Sequence, residues 1–480
     1  MAMSPNARAA AALLGMAAVG AGLYQIAMHV TLVGKPRAPT VTAVATTGAH
    51  DPRPDILLFT IDTMRADHVA SQGYSRETTP RLDRLAAQGT RFSHAYSSST
   101  WTVPALASLV TGVLPSEHGV RHGVRLGNRV ASQEILSAEL PSMAVALQGA
   151  GYRTVGVTSN VHLSEMLGFS RGFDAYECLE FVGIDELRPL VAARLAELRT
   201  GDAPFLLWVH VVEPHSPYVA VEPIFDSFRP TPAQRYPELE RVEIAELLDA
   251  HIAQLGIPPD DGIAFAIAAY DSEIHAADAY LGELLDALSD DPRLAVVVAA
   301  DHGEEFHDHL GLGHGHTAFD EVARVPLVVA LPGATPSVVD ETVSLIDVLP
   351  TVLDLASVSV PERAAGRTLL PATRGEIFEP RDVFLETGRG DIVIQAIVRG
   401  TTKYGREVEP VPLEGLFDLQ NDPREMHDLM AERPELAATL RARLDEVLSA
   451  AAARRPPITT STVEVSDQVR QQLEALGYEE

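Results

Sequence analysis

Twice in this chain a short, almost wholly apolar run ends on an aspartate: Ile56–Ile61 before Asp62, and Leu294–Ala300 before Asp301. Such a run has no side to turn to water, so it suits a strand covered on both faces, as in a parallel sheet. Thr154–Val157, Phe205–Val212 and Val325–Leu331 have the same character. Stretches with helical spacing, Thr79–Gln88, Leu140–Gln148 and Phe265–Leu288, lie between these runs. The alternation predicts an α/β domain with a central, mostly parallel sheet flanked by helices. A length of 480 residues leaves room for a smaller unit beside it. Near the C-terminus, Val393–Val398, Thr402–Tyr404 and Leu416–Leu419 read as short strands, Pro434–Ala452 as an amphipathic helix, and Val465–Tyr478 as another helical segment.

The front of the chain is a different kind of sequence. Ala9–Val30 is apolar apart from small interruptions such as Gln25 and His29, and Arg8 carries the only charged side chain ahead of it. This reads as the apolar region of a signal peptide or as a short N-terminal membrane anchor, placing the protein across or in a membrane, on its periplasmic or extracytoplasmic side. The expected division is therefore a leader or anchor over 1–32, a Pro/Thr/Ala-rich linker over 33–53, a catalytic domain over 54–370, and a C-terminal subdomain with a helical tail over 371–480.

Composition removes several function classes. A net charge of −29 repels phosphate backbones, so a nucleic-acid partner is not expected. The one cysteine, Cys178, forbids an intramolecular disulfide and a Cys-x-x-Cys zinc site.

In open α/β sheets, ligands bind beyond the carboxyl ends of the strands. Asp62 and Asp301-His302-Gly303-Glu304 both sit there, offering hard oxygen donors and one nitrogen donor to a divalent cation. Either alone is as readily a loop carboxylate or a helix cap; two on one rim raise the case for a metal. Thr100-Trp101-Thr102-Val103-Pro104 opens a helical stretch, with Pro104 suited to its first turn. Thr102 at that helix end faces free N–H groups that favour an anionic ester. Its hydroxyl is a poor nucleophile until a metal or base takes the proton.

Taken together, these segments resemble the sulfatase branch of the alkaline phosphatase superfamily from about residue 54 to the end. ILLFTIDTMRADH (56–68) is similar to the family's opening strand, and TTPRLDRLAAQGTRFSHAYSSSTWTVPALASLVTG (78–112) to its nucleophile segment. LLWVHVVEPHSPY (206–218) resembles an internal strand with a substrate-side histidine. VVVAADHGEEFHDH (296–309) with GHGHTAFDEVARVPLVV (313–329) resembles the second metal strand and its loop. The resemblance implies an alkaline-phosphatase-like fold with a small antiparallel sheet beside it. It implies that Asp62, Asp301 and His302 bind one divalent metal and that Thr102 is the nucleophile or the metal-bound hydroxyl. His215 and His314 then contact the ester oxygens or protonate the leaving group, and Asn160 and His316 are candidates for touching substrate. Mixed oxygen and nitrogen donors favour zinc or manganese and admit calcium.

Three positions depart from the family pattern. Sulfatases proper carry a Cys or Ser that becomes formylglycine, with Arg two residues past the Pro; here the residues are Thr102 and Leu106. Thr63 replaces the second opening carboxylate, and His302 stands where the family has a metal Asn. These features look more like the superfamily's threonine-based phosphoryl, phosphoglycerol or phosphoethanolamine transferases. The expectation is a metal-dependent enzyme cleaving phosphate or sulfate esters of a small molecule, lipid or glycan. Two alternatives are a sulfuric ester hydrolase that works without formylglycine, and a non-catalytic envelope binding protein with a decayed site. Water or an acceptor hydroxyl as the second substrate, and the oligomeric state, stay open.

Overall fold

The computed structural model describes residues 51–122, 125–126, 130–179, 182–229, 241–242, 259–389, 392–409 and 412–464. Strand β1 (Ile56–Ile61) is buried at every position, as its apolar run requires. It lies in a nine-stranded sheet with β2 (Thr90–Tyr96), β3 (Arg153–Thr158), β4 (Ala175–Cys178), β5 (Phe205–Val211), β6 (Ala295–Ala300), β7 (Arg324–Ala330), β8 (Ser337–Val339) and β9 (Val343–Ser344). The order across the sheet is β8-β2-β7-β6-β1-β5-β3-β4, with β9 also paired to β2. β1 runs parallel to β5 and β6, and β3 runs parallel to β4 and β5. β7 is antiparallel to both β6 and β2, so the expected α/β sheet is mostly rather than wholly parallel.

The helices α1 (Pro80–Ala86), α2 (Thr102–Thr111), α3 (Met143–Gly149), α4 (Pro259–Ala287) and α5 (Val348–Leu355) flank the sheet. α1 packs on α4 and β7, while α2, α3 and α5 pack together. Leu57, Phe59, Leu206, Trp208 and Val298 belong to one continuous core. Truncating a buried side chain of this size costs roughly 2–5 kcal/mol, because the cavity left behind adds to the lost transfer energy. The rim of the sheet is thus set on rigid strands.

A second, four-stranded sheet is antiparallel throughout, in the order β10 (Asp382–Arg389), β11 (Ile392–Arg399), β12 (Thr402–Glu409), β13 (Leu413–Asp418). On one face Ile397, Tyr404 and Leu416 meet Leu440, Leu444 and Leu448 of α6 (Pro434–Ala453). On the other, Val383, Leu385, Ala396 and Val398 cluster with Tyr96 and Ala323 of the main domain. Strand β10, whose apolar run is only Val383–Leu385, has no counterpart among the expected strands; its pairing with β11 makes it a strand.

The leader expected over 1–32, most of the linker expected over 33–53 and the helix expected over Val465–Tyr478 lie outside the described residues. Among the described residues, no helix is long and apolar enough to cross a membrane.

Candidate active site

β1 and β6 pair in register to their last residues, Ile61 opposite Ala300. Asp62 and Asp301 therefore leave the sheet side by side, both fully buried. Thr102, also fully buried, is the first residue of α2, and the N-cap residue Trp101 makes no side-chain cap there. The Thr102 hydroxyl lies 3.4 Å from Asp62 Oδ1 and 3.3 Å from His302 Nε2. The fold thus brings together Asp62, Thr102, Asp301 and His302, separated by up to 240 positions in the chain.

Each of these side chains is held by its own neighbours. His302 donates Nδ1–H to Gly303 O at 2.9 Å, so on the neutral ring Nε2 keeps its lone pair. That Nε2 is 3.5 Å from Asp62 Oδ1 and 3.6 Å from Asp301 Oδ2. Gly303 lets the loop turn tightly behind the ring: a Cβ there would fall 2.0 Å from Glu321 O. Asp301 Oδ1 accepts the N–H groups of Thr63 at 3.1 Å and His302 at 2.8 Å. Thr63 does this at φ 53, a left-handed conformation rare for a β-branched residue. The Tyr270 hydroxyl locks it there, donating to Thr63 O at 2.7 Å while accepting Arg65 N–H at 2.9 Å.

The remaining oxygen of Asp301, Oδ2, is buried and has no hydrogen-bond partner among the described residues. Burial, and then the charge of Asp62, push the Asp301 carboxyl well above the usual carboxylate range. Burial also opposes ionisation of Asp62, but hydrogen bonding from His210 and the charges of His215 and His302 outweigh it and hold that carboxyl low. Two adjacent buried carboxylates cannot both ionise without added positive charge.

The sequence reading did not include His210. It lies on β5 opposite Thr60 of β1, fully buried, with Nε2 3.6 Å from Asp62 Oδ2. Its Nδ1 is 3.0 Å from the Thr60 hydroxyl, which also accepts Trp208 Nε1–H at 2.9 Å. With a proton on Nε2 the ring faces Asp62 as a donor and holds it low; with the proton on Nδ1, donated to Thr60, Nε2 has a lone pair to offer a cation. Asp62, His210 and Asp301 each offer a donor atom within 4.8 Å of the others. With His302 Nε2 against the same two carboxylates, the residues present fit a divalent cation by donor chemistry and by the unmatched oxygen of Asp301.

The other candidates also have definite places. His215 donates Nδ1–H to Ser216 O at 2.6 Å, and its ring centroid is 5.0 Å from that of His314. His314 in turn stands 4.4 Å from the ring of His302. His314 donates Nδ1–H to Glu304 Oε1 at 2.8 Å, and Glu304 Oε2 accepts the Tyr218 hydroxyl at 3.0 Å. Tyr218 and Glu304, both fully buried, orient His314; Glu304 belongs to the Asp301–Glu304 run read from the sequence, which gave neither residue this role. Asn160 donates Nδ2–H to Asp62 Oδ2 at 2.9 Å, so it supports the carboxylate directly. His316, partly buried, donates Nδ1–H to His314 O at 3.2 Å and has Nε2 3.2 Å from Glu305 Oε2.

A family model described as Sulfatase matches residues 54–358. The chain is 27% identical over 435 residues to the uncharacterized sulfatase YidJ of Escherichia coli, covering 79% of this chain and 83% of that protein. It is 28% identical over 441 residues to a choline-sulfatase of Rhizobium meliloti, covering 80% and 83% respectively. Among solved structures, a phosphonate monoester hydrolase of Agrobacterium radiobacter superposes with a TM-score of 0.67 at 21% identity, covering 83% of this chain and 96% of that one, a likeness of fold.

Proposed function

The chain belongs to the sulfatase family, ester hydrolases of the alkaline phosphatase superfamily, and from that premise we propose that it cleaves phosphate or sulfate esters through Thr102. The observation that carries this reading is the Thr102 hydroxyl at the buried start of α2, 3.4 Å from Asp62 and 3.3 Å from His302. Asp62, Asp301 and His302, joined by His210, hold one divalent metal, with zinc or manganese favoured by the nitrogen donors and calcium admitted. Bound there, the cation supplies Lewis-acid charge that lowers the pKa of a nearby hydroxyl and offsets charge on the ester oxygens.

The rest is the work of this chain's residues. The Thr102 oxygen, its proton released to water, attacks phosphorus or sulfur in line, forming the new bond as the bond to the alcohol oxygen breaks. First-turn N–H groups of α2 face the anionic group and stabilise it as charge builds. His314 or His215 delivers a proton to the departing oxygen, and Glu304 keeps His314 oriented through Nδ1. Water or another hydroxyl then attacks the phosphoryl or sulfuryl group, and the bond to the Thr102 oxygen breaks, returning the threonine hydroxyl. Asn160 holds Asp62, and His316 is placed to meet the alcohol side of the substrate.

Phosphate is the favoured ester, because Thr102 cannot be oxidised to formylglycine and Thr63 removes one opening carboxylate. A sulfate ester is the second reading, supported by the choline-sulfatase likeness. Rates on one aryl sulfate and one aryl phosphate diester, measured side by side, separate the two. Elemental analysis of protein purified without an affinity tag identifies the metal; absence of stoichiometric metal would favour the decayed-site reading. The proposed organisation is a catalytic part over 54–370 and a C-terminal part over 371–480, with export or anchoring by the apolar Ala9–Val30 stretch giving access to an extracytoplasmic ester of a small molecule, lipid or glycan.

A further inference from the structure

The loop after Asp301-His302 carries His307, His309, His314 and His316, and the ester-cleaving reading leaves His307 and His309 without a role. Glu305-Phe306 pairs antiparallel with Leu312-Gly313, which folds this loop back on itself. Gly311 is needed where it closes: a Cβ there would fall 2.7 Å from Glu305 Oε2 and 2.5 Å from His316 Nε2. Glu321, from the helical turn Asp320–Ala323, joins them. Glu305, His309 and Glu321 thereby each offer a donor atom within 4.8 Å of the others, and this set shares no residue with Asp62, His210 and Asp301.

Glu305 is fully buried and Glu321 nearly so, yet neither has a Lys or Arg ion pair among the described residues; only imidazoles face them. Burial opposes ionisation of Glu305, but bonding from His316 and from the N–H groups of Gly311 and His309 holds its carboxyl below the usual range. The His309 ring is fixed in place, stacked on Phe319 with centroids 3.6 Å apart, and its Nδ1 lies 2.7 Å from Glu321 Oε1. The other ring nitrogen, Nε2, is buried with no hydrogen-bond partner among the described residues, so either protonation state of the ring leaves one polar atom unmatched. His309 and Glu321 also line a polar cavity of about 490 Å³, which gives an ion a path in.

We propose that Glu305, His309 and Glu321 form a second divalent-metal site, separate from the one at Thr102 and structural in role. Two carboxylates and an imidazole suit a first-row ion such as zinc or manganese. An ion about 2.0–2.2 Å from each donor spans this set after small side-chain shifts, and water from the cavity completes its shell. It would tie residues 305, 309 and 321 together and so hold closed the loop that carries Glu304 and His314. The inference stands whichever ester is cleaved.

Metal counting on the full chain tests this. Protein purified without an affinity tag is loaded with zinc or manganese, desalted and analysed for metal per chain. The wild type should hold about two equivalents, and His309→Ala, Glu321→Gln and Asp301→Asn about one each. Glu321→Gln keeps an oxygen that accepts the ring N–H, so a His–Glu pair serving packing alone predicts no loss of metal in that variant. Adding either metal to chelated Asp301→Asn protein should raise its melting temperature, because an ion that binds only the folded chain stabilises it, and adding Glu321→Gln should abolish the rise. A metal content that neither His309→Ala nor Glu321→Gln changes overturns the second site and leaves an ion pair. One equivalent that survives Asp301→Asn and is lost with Glu321→Gln upholds it and removes the metal from the Thr102 site instead.

Discussion

Two clusters of buried charge in this molecule have opposite characters. Where the second sheet meets the main domain, Lys403 lies 3.0 Å from Asp320 and 2.9 Å from Glu425, while the Asp320 carboxylate also accepts the Tyr96 hydroxyl. At the rim of the main sheet, Asp62 and Asp301 converge with only neutral-capable histidines around them, one carboxylate oxygen has no hydrogen-bond partner among the described residues, and Thr63 is held at positive φ. The first cluster carries its own counter-charge and serves stability. The second sets two carboxylates against each other, with histidine charge holding Asp62 low while Asp301 is pushed up, and it is strained, which native structures tolerate where something must bind.

The comparison can be broken most sharply at the rim. Thr102→Ala should lower turnover of aryl phosphate or sulfate esters by on the order of a thousandfold or more, with the melting temperature nearly unchanged. Wild-type-like turnover would remove the nucleophile and with it the functional half of the contrast. At the interface, Lys403→Met leaves Asp320 and Glu425 facing each other without a cation and should cost about 3–5 kcal/mol in denaturant unfolding, with metal content unchanged. A cost below about 1 kcal/mol would show that this cluster does not serve stability.

His210→Ala should weaken metal affinity by roughly 10- to 100-fold in chelator competition while the fold persists. Unchanged affinity would remove His210 from the site and leave the three donors named from the sequence.

A smaller effect lies in the pH dependence of stability. Burial raises the Asp278 carboxyl to about 7, against the pull of the Arg81 and Leu82 N–H groups it accepts. The folded state therefore keeps a proton that the unfolded chain releases near pH 4. Asp278 should thus cost stability progressively as pH rises from about 4 to about 7, by at most about 1.4 kcal/mol per pH unit. Asp278→Asn should flatten that part of the melting-temperature profile; an unchanged slope would assign it to other groups. Burial raises Glu425 beside Lys403 to about 7 as well, so this slope reports burial and does not by itself separate the two clusters.

Several parts of the site were legible because local chemistry announces them. Asp62 and Asp301 follow strands whose apolarity marks them as central, so their place at one rim could be read from residue order. Thr102 precedes Pro104 at a helix start, a local signal of the same kind. His210 was not legible. It sits inside an apolar strand, where nothing in the sequence says which rim its ring reaches or that Thr60 would hold its Nδ1. Strand β10 was missed because its polar residues hide an edge-strand pattern that only pairing with β11 reveals.

The order of residues by itself determined that buried strands would end in carboxylates and that a threonine would open a helix, because burial, capping and turn chemistry act over a few neighbouring residues. Only the tertiary structure decided that His210 and His302 would face the same two aspartates and that Tyr270 would hold Thr63 in a strained turn. Those outcomes depend on which strands become neighbours and in what register, and that is settled by the packing of segments hundreds of residues apart.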